Sequence, residues 1–200
     1  MDQKQVKPFG LSDKIGYLFG DFGNDFTFIF ASTFLMVFYM KVLGIPGAAV
    51  GTLFLIARVV DAFTDVTMGR IVDIYKPGKD GRFKQWIRRM AGPVAIASFL
   101  MYQSSLAGAS MTVKIVYMYV TYLLWGSICY TGINIPYGSM ASAITEKPEE
   151  RTALSTFRGV GANLAQLVIG VLGPVIIYTT DVDGAQVIRG GGSIFPVVAG

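Results

Sequence analysis

Residues 53–72 read LFLIARVVDAFTDVTMGRIV, an apolar run with Arg58, Asp61 and Asp65 set into its middle. Wound as a helix, the run places these charges at i, i+3 and i+7, so they project from one face, while Leu55, Val59, Ala62 and Val66 occupy the opposite one. An ionised carboxylate in hydrocarbon costs roughly 2.5 to 3.5 kcal/mol even on lenient insertion scales, so two of them must face a cavity or partners. Either Asp61 and Asp65 pair with Arg58 and hold helices together, or they line an ion or proton path. Acids one turn apart inside a membrane helix favour the second reading.

The composition sets that run in a membrane. Hydrophobic residues make up 52% of the chain and charged ones only 15%. With a mean hydropathy of +0.52, the chain is too apolar for an ordinary soluble domain. At least five apolar runs approach the ~20 residues that cross a bilayer core, which predicts an all-α polytopic membrane protein. The net charge of +4 is no nucleic-acid signal, because the basic residues sit in short connections between spans. The lone Cys129 lies in an apolar span, so no disulfide framework or paired-cysteine metal site is expected. The absence of histidine excludes histidine metal sites, Ser-His-Asp triads and imidazole relays. With no nucleophile–base pair visible, neither an enzyme nor a resident cofactor is expected. Proton or cation chemistry must run on carboxylates.

The spans are predicted at about 14–40, 48–74, 90–107, 112–140 and 151–179, with residues 194–200 opening a sixth that is cut short. The polar opening MDQKQVKPFGLS, followed by a span containing Asp21 and Asp25, argues against a cleaved signal peptide. Gly16, Gly20 and Gly23 form a small-residue strip on span one. Asp25, with Asn24 beside it, lies deep enough in that span to suggest a site; Asp21 belongs either to it or to a hydrated cytoplasmic end. Segment 75–89 sets Lys76, Lys79, Arg82, Lys84, Arg88 and Arg89 against Asp80, so it is expected in the cytoplasm. The N-terminus, with Lys4, Lys7 and Lys14, is expected there too, and Trp86 suits the interface belt. In span four, Pro136 removes a backbone bond and leaves carbonyls near Gly132 and Ile133 for a ligand or water. Arg158, about two turns into span five, reaches either lipid headgroups or an acid within the bundle. The glycine-rich segment 181–193 is external by count and has no phosphate-binding pattern.

FGNDF, GTLFLIARVVDAFTDVTMGRIVD, GKDGRFKQWIRR, INIPYGSMASAI and ERTALSTFRGVGANLA together resemble the glycoside-pentoside-hexuronide:cation symporters, the melibiose-permease branch of the major facilitator superfamily. The wording INIPYGSMASAI is closer to the xyloside, glucuronide and isoprimeverose-like members than to melibiose permease. The resemblance covers nearly the whole chain and implies an N-terminal six-helix bundle with its sixth helix truncated and the C-terminal bundle missing.

It also implies roles. Asp61 and Asp65 match the aspartates that bind the coupling cation, Na⁺ or H⁺. Thr64 stands where melibiose permease has an asparagine, and Thr131 falls at a hydroxyl position of the cation shell. Asp25 matches an aspartate that hydrogen-bonds sugar hydroxyls, and Arg158 an arginine near it. Asn134 replaces a second sugar-binding aspartate, Gly138 a tryptophan that stacks on the sugar, and Asn24 a lysine. Asparagine still pairs with hydroxyls but lends no negative charge, and the lost indole leaves room for a different ring. The expected cargo is therefore a pentoside, glucuronide or other glycoside, carried with a monovalent cation across the cell membrane. Rival readings are a lipid or drug carrier on the same fold and a non-transporting membrane sugar receptor. A sugar site should gather hydroxyl and amide groups around Asp25 and Asn134; a lipid path should be apolar.

Overall fold

A computed structural model describes residues 8–78 and 81–199. Lys4, Lys7, Lys79 and Asp80, which contributed to the topology reading, lie outside these residues. The helices are α1 (Leu11–Val37), α2 (Gly47–Ile74), α3 (Arg82–Met101), α4 (Met111–Leu123), α5 (Thr131–Ile144), α6 (Pro148–Ile177) and α7 (Phe195–Ala199). A π-helical turn, Phe38–Val42, extends α1, and a second, Leu124–Tyr130, joins α4 to α5 in one continuous rod. Four of these units are long and apolar enough to cross a membrane: Leu11–Val42, Gly47–Ile74, Met111–Ile144 and Pro148–Ile177.

The helix ends follow local chemistry. Asp13 accepts from the Gly10 N–H at 2.9 Å and closes the first turn of α1. Between the first two spans the chain turns at Gly44, whose φ of +69° suits a residue without Cβ, and Pro46 caps α2. Pro148 opens α6 with Glu149 and Glu150 in its first turn, where they meet the positive end of the helix dipole.

Two boundaries differ from the sequence reading. The third helix begins at Arg82 and ends at Met101, so the basic stretch taken as loop is largely its first turns. Lysine and arginine are good helix formers, and a hydropathy pattern sees only their charge. Their presence also sets α3 apart in composition from the four long apolar helices named above. The glycine-rich segment folds as a small antiparallel hairpin, Tyr178–Thr180 with Gln186–Ile188, followed by a tight turn at Arg189–Gly192.

The core lies toward the end of the bundle that carries Leu43 and α7. Phe30, Phe38, Tyr102 and Phe195 are each no more than 1% exposed, and the rings of Tyr102 and Phe195 stack at 5.6 Å. Buried Lys114 donates to the Leu43 carbonyl at 2.8 Å and ties the start of α4 to the end of the first span. Helices α1 and α6 approach closely at Gly161, where an added Cβ would stand 2.4 Å from the Leu18 carbonyl oxygen. Of the glycine strip on α1, only Gly20 is tightly packed: a Cβ there would stand 2.8 Å from the Tyr137 ring. Gly16 and Gly23 have open space beside them.

Gly161→Ala should therefore push α1 from α6 and lower stability by about 1–3 kcal/mol. Gly159→Ala, two residues away with nothing within 4 Å, should be neutral or slightly stabilising. Thermal unfolding of the two variants in detergent checks the contrast.

Candidate functional site

Asp61 and Asp65 project from α2 toward the α4–α5 rod, and each meets a hydroxyl there. The Ser127 hydroxyl donates to Asp61 Oδ1 at 2.6 Å. The Thr131 hydroxyl lies 3.0 Å from Asp65 Oδ1. Both pairs are four residues apart on their own helices, so the two contacts repeat in register. The π-helical turn aims this hydroxyl pair. Its widened winding lets the Thr131 backbone N–H donate to the carbonyl of Gly126, five residues back. The same carbonyl lies 3.1 Å from the Thr131 hydroxyl. That hydroxyl has one proton, so it donates either to Asp65 or to Gly126.

Among the described residues, none of the ion pairs within 4.0 Å includes Arg58, Asp61 or Asp65. Instead Arg58, Asp61, Asp65 and Thr131 line a cavity of about 330 Å³. Its wall also includes Asp25, Asn134 and Arg158, together with the rings of Phe28, Tyr122, Trp125 and Tyr130. Carboxylates, hydroxyls and a free carbonyl edge can hold a hard cation; amides and phenols beside aromatic faces can hold a hydroxylated ring.

The second half of the cavity is a polar chain. The Tyr130 hydroxyl donates to Asp25 Oδ1 at 3.3 Å. Asn24 Nδ2 donates to the Tyr130 hydroxyl and to Asn134 Oδ1, each at 3.3 Å. Arg158 Nη2 also donates to Asn134 Oδ1 at 3.3 Å. Asn24 thus touches the network from behind the cavity wall. Thr64 lies off the wall, with its hydroxyl turned onto the Val60 and Asp61 carbonyls of its own helix at 3.2 Å.

Of the two fates open to Arg158, the structure shows the acid within the bundle, and that acid is Asp21. Arg158 Nε donates to Asp21 Oδ1 at 2.8 Å, and Asp21 is 1% exposed. The hydrated end considered for Asp21 is therefore corrected: a turn below Asp25, it sits under the packed Tyr17 and Tyr137 rings. Those rings stack at 4.7 Å, and each hydroxyl donates to the other residue's carbonyl. The guanidinium lies 5.4 Å from the Tyr137 ring centre. The guanidinium also lies beside Gly138, where a Cβ would stand 3.4 Å from Arg158 Nη1, an ordinary van der Waals contact.

One further expectation is corrected. Pro136 does free the Gly132 carbonyl, but Trp86 takes it, its Nε1–H donating at 2.6 Å. Trp86 accordingly faces α5. Sequence reasoning also missed Ser127, which in an apolar helix has no signal beyond its i+4 spacing to Thr131.

Residues 16–196 match the MFS/sugar transport protein family. The chain is 40% identical over 163 residues to the glucuronide carrier protein homolog of Escherichia coli (strain K12), covering 81% of this chain and 35% of that protein. It is 34% identical over 190 residues to the inner membrane symporter YicJ of the same organism, covering 94% and 40%. With the isoprimeverose transporter of Lactiplantibacillus pentosus it shares 35% identity over 168 residues, covering 84% and 34%. The chain thus spans little more than a third of the length of the curated relatives it matches.

Breaking the Asp21–Arg158 pair on one side should leave a buried charge unmet, costing about 1–3 kcal/mol. Asp21→Asn and Arg158→Gln should each lower the unfolding temperature, and the double variant should lose less than the sum. A double-mutant cycle by thermal unfolding measures the coupling; strict additivity would show the contact to be idle.

Proposed function

The chain belongs to the MFS/sugar transport protein family, and from that premise we propose that the whole protein carries a glycoside, pentoside or hexuronide across the cell membrane together with Na⁺ or H⁺. A transporter rather than an enzyme follows from the family. The observation that supports the cation and cargo is the shared cavity: at one side two carboxylates that enter no ion pair among the described residues, at the other a hydroxyl and amide network around Asp25 and Asn134.

The ion end works through Asp61, Asp65 and Thr131, with Ser127 added to the set and Thr64 flanking it. Without an ion, the hydroxyls of Ser127 and Thr131 donate to the carboxylates and offset part of their charge. An arriving cation needs oxygen lone pairs, not protons. Thr131 then turns its proton to the Gly126 carbonyl, already 3.1 Å away, and presents its oxygen. An all-oxygen set of this kind suits Na⁺, Li⁺ or a bound proton.

The sugar end works through Asp25, Asn24 and Asn134, with Arg158 bridging Asn134 to Asp21. Asp25 accepts from sugar hydroxyls, and Asn134 both donates and accepts. The rings of Phe28, Trp125 and Tyr130 supply an apolar face for a pyranose ring. Amides and hydroxyls around Asp25 and Asn134 favour this cargo over a lipid, which would need an apolar path.

Coupling follows from the shared space. A cation on Asp61 and Asp65 lowers the cost of closing the cavity over the sugar, and the sugar favours closure over the ion. Such reciprocal coupling amounts typically to about 1–3 kcal/mol. Closure itself is a rocking of this bundle against a second one. By the positive-inside rule, segment 75–89 and the N-terminal end face the cytoplasm.

Asp61→Asn and Asp65→Asn should abolish uphill sugar accumulation in sealed vesicles while downhill equilibration persists. Ser127→Ala should keep accumulation but require about 10-fold more cation. Cation-driven accumulation retained in both aspartate variants refutes the ion assignment.

A further inference from the structure

Neither end of the cavity uses Trp86, yet its indole reaches 46 positions along the chain to the backbone of α5. We propose that Trp86 is a positioning residue for the cation site. Its N–H takes over the hydrogen bond that Pro136 cannot give, and so fixes the part of α5 that aims Thr131 at Asp65. This rests on the cation reading above.

In a regular helix the Gly132 carbonyl accepts from the N–H of residue 136, and proline has none. Gly132 is buried, so its carbonyl has no bulk water to turn to and an unmet acceptor there is unfavourable. Trp86 Nε1 meets it at 2.6 Å. The neighbouring side chains keep this backbone from sliding. A Cβ on Gly132 would stand 2.8 Å from Met90 Cε and 3.5 Å from Met68 Cε. Directly before it in sequence is Thr131, 5% exposed, whose hydroxyl faces Asp65. A carbonyl left unmet would relax this turn, and the first contact to lengthen would be that one.

Trp86 is itself held. Its ring meets Tyr75 edge to face at 5.3 Å, and Tyr75 accepts a hydrogen bond from Arg89, whose guanidinium lies 5.7 Å from the Tyr75 ring centre. Tyr75 caps α2, the helix that bears both carboxylates. The chain of contacts therefore runs from the end of α2, through the start of α3, to the hydroxyl side of the ion site. Outer contacts of this kind fix ligand direction, and their loss typically weakens ion binding by an order of magnitude.

The test uses the full-length transporter in membrane vesicles, with Na⁺ and H⁺ varied separately. Trp86→Phe keeps the ring against Tyr75 and removes only the donor. It should raise the cation concentration for half-maximal uptake about 10-fold, with the sugar KM at saturating cation unchanged. Adding Pro136→Ala returns a backbone N–H to the Gly132 carbonyl and should recover most of that loss. Cation-induced shifts in the unfolding temperature of the purified protein give the same ranking without transport. A Trp86→Phe protein that unfolds earlier but keeps wild-type cation dependence overturns the proposal, leaving Trp86 as packing alone. If Asp65→Asn loses the cation response while Trp86→Phe retains it, the ion site stands and the role of Trp86 falls. An Asp65→Asn protein with a normal cation response removes the site and this role together.

Discussion

Uncompensated negative charge on an apolar helix is the constraint to which the surrounding elements answer. Asp61 and Asp65 have no basic side chain within ion-pair distance among the described residues. Two hydroxyls from the neighbouring rod and the open space of the cavity are what they have instead. Hydroxyl donors offset a carboxylate without cancelling it, so an attraction for a small cation is left over. Full pairing with Arg58 would have removed that attraction and made the helix pair tighter.

The contrast with Asp21 makes the point within one molecule. That acid is also sunk in the bundle, but it is matched to Arg158 at 2.8 Å and sealed by Tyr17 and Tyr137. One set of charges is neutralised and holds helices α1, α5 and α6 together; the other is left open and faces space. Arg158 also reaches the wall of the open cavity through its second contact, to Asn134. The fixed charge pair thereby sets the position of an amide at the sugar end of the cavity.

Much of this was legible in the sequence, for a physical reason. Apolar runs of spanning length have to be helical because oil offers the backbone no other partners. Acids among them must then face inward, so Asp61 and Asp65 stood out without any structure. Contacts made across long stretches of chain did not. Asp21 could not be told from a hydrated helix end, because its partner lies 137 positions away. Ser127 reads as an ordinary helical serine until the π-helical turn is known. Trp86 has the composition of an interface residue, and only the missing N–H of Pro136 hints that a donor is needed nearby. The start of α3 is hidden in the sequence because its charged residues break the apolar pattern, although the same residues wind well as helix.

The loosened winding at Leu124–Tyr130 has a consequence for how this rod can change through descent. It accommodates one more residue than uniform coiling would, and the functional oxygens on either side are phased to that surplus. Deleting a single amino acid there would restore regular coiling and rotate all that follows by about 100°. Thr131 and Asn134 would then swing away from the cavity. Substitutions in this stretch leave the phasing intact, whereas insertions and deletions do not, so its length is under tighter restraint than its spelling.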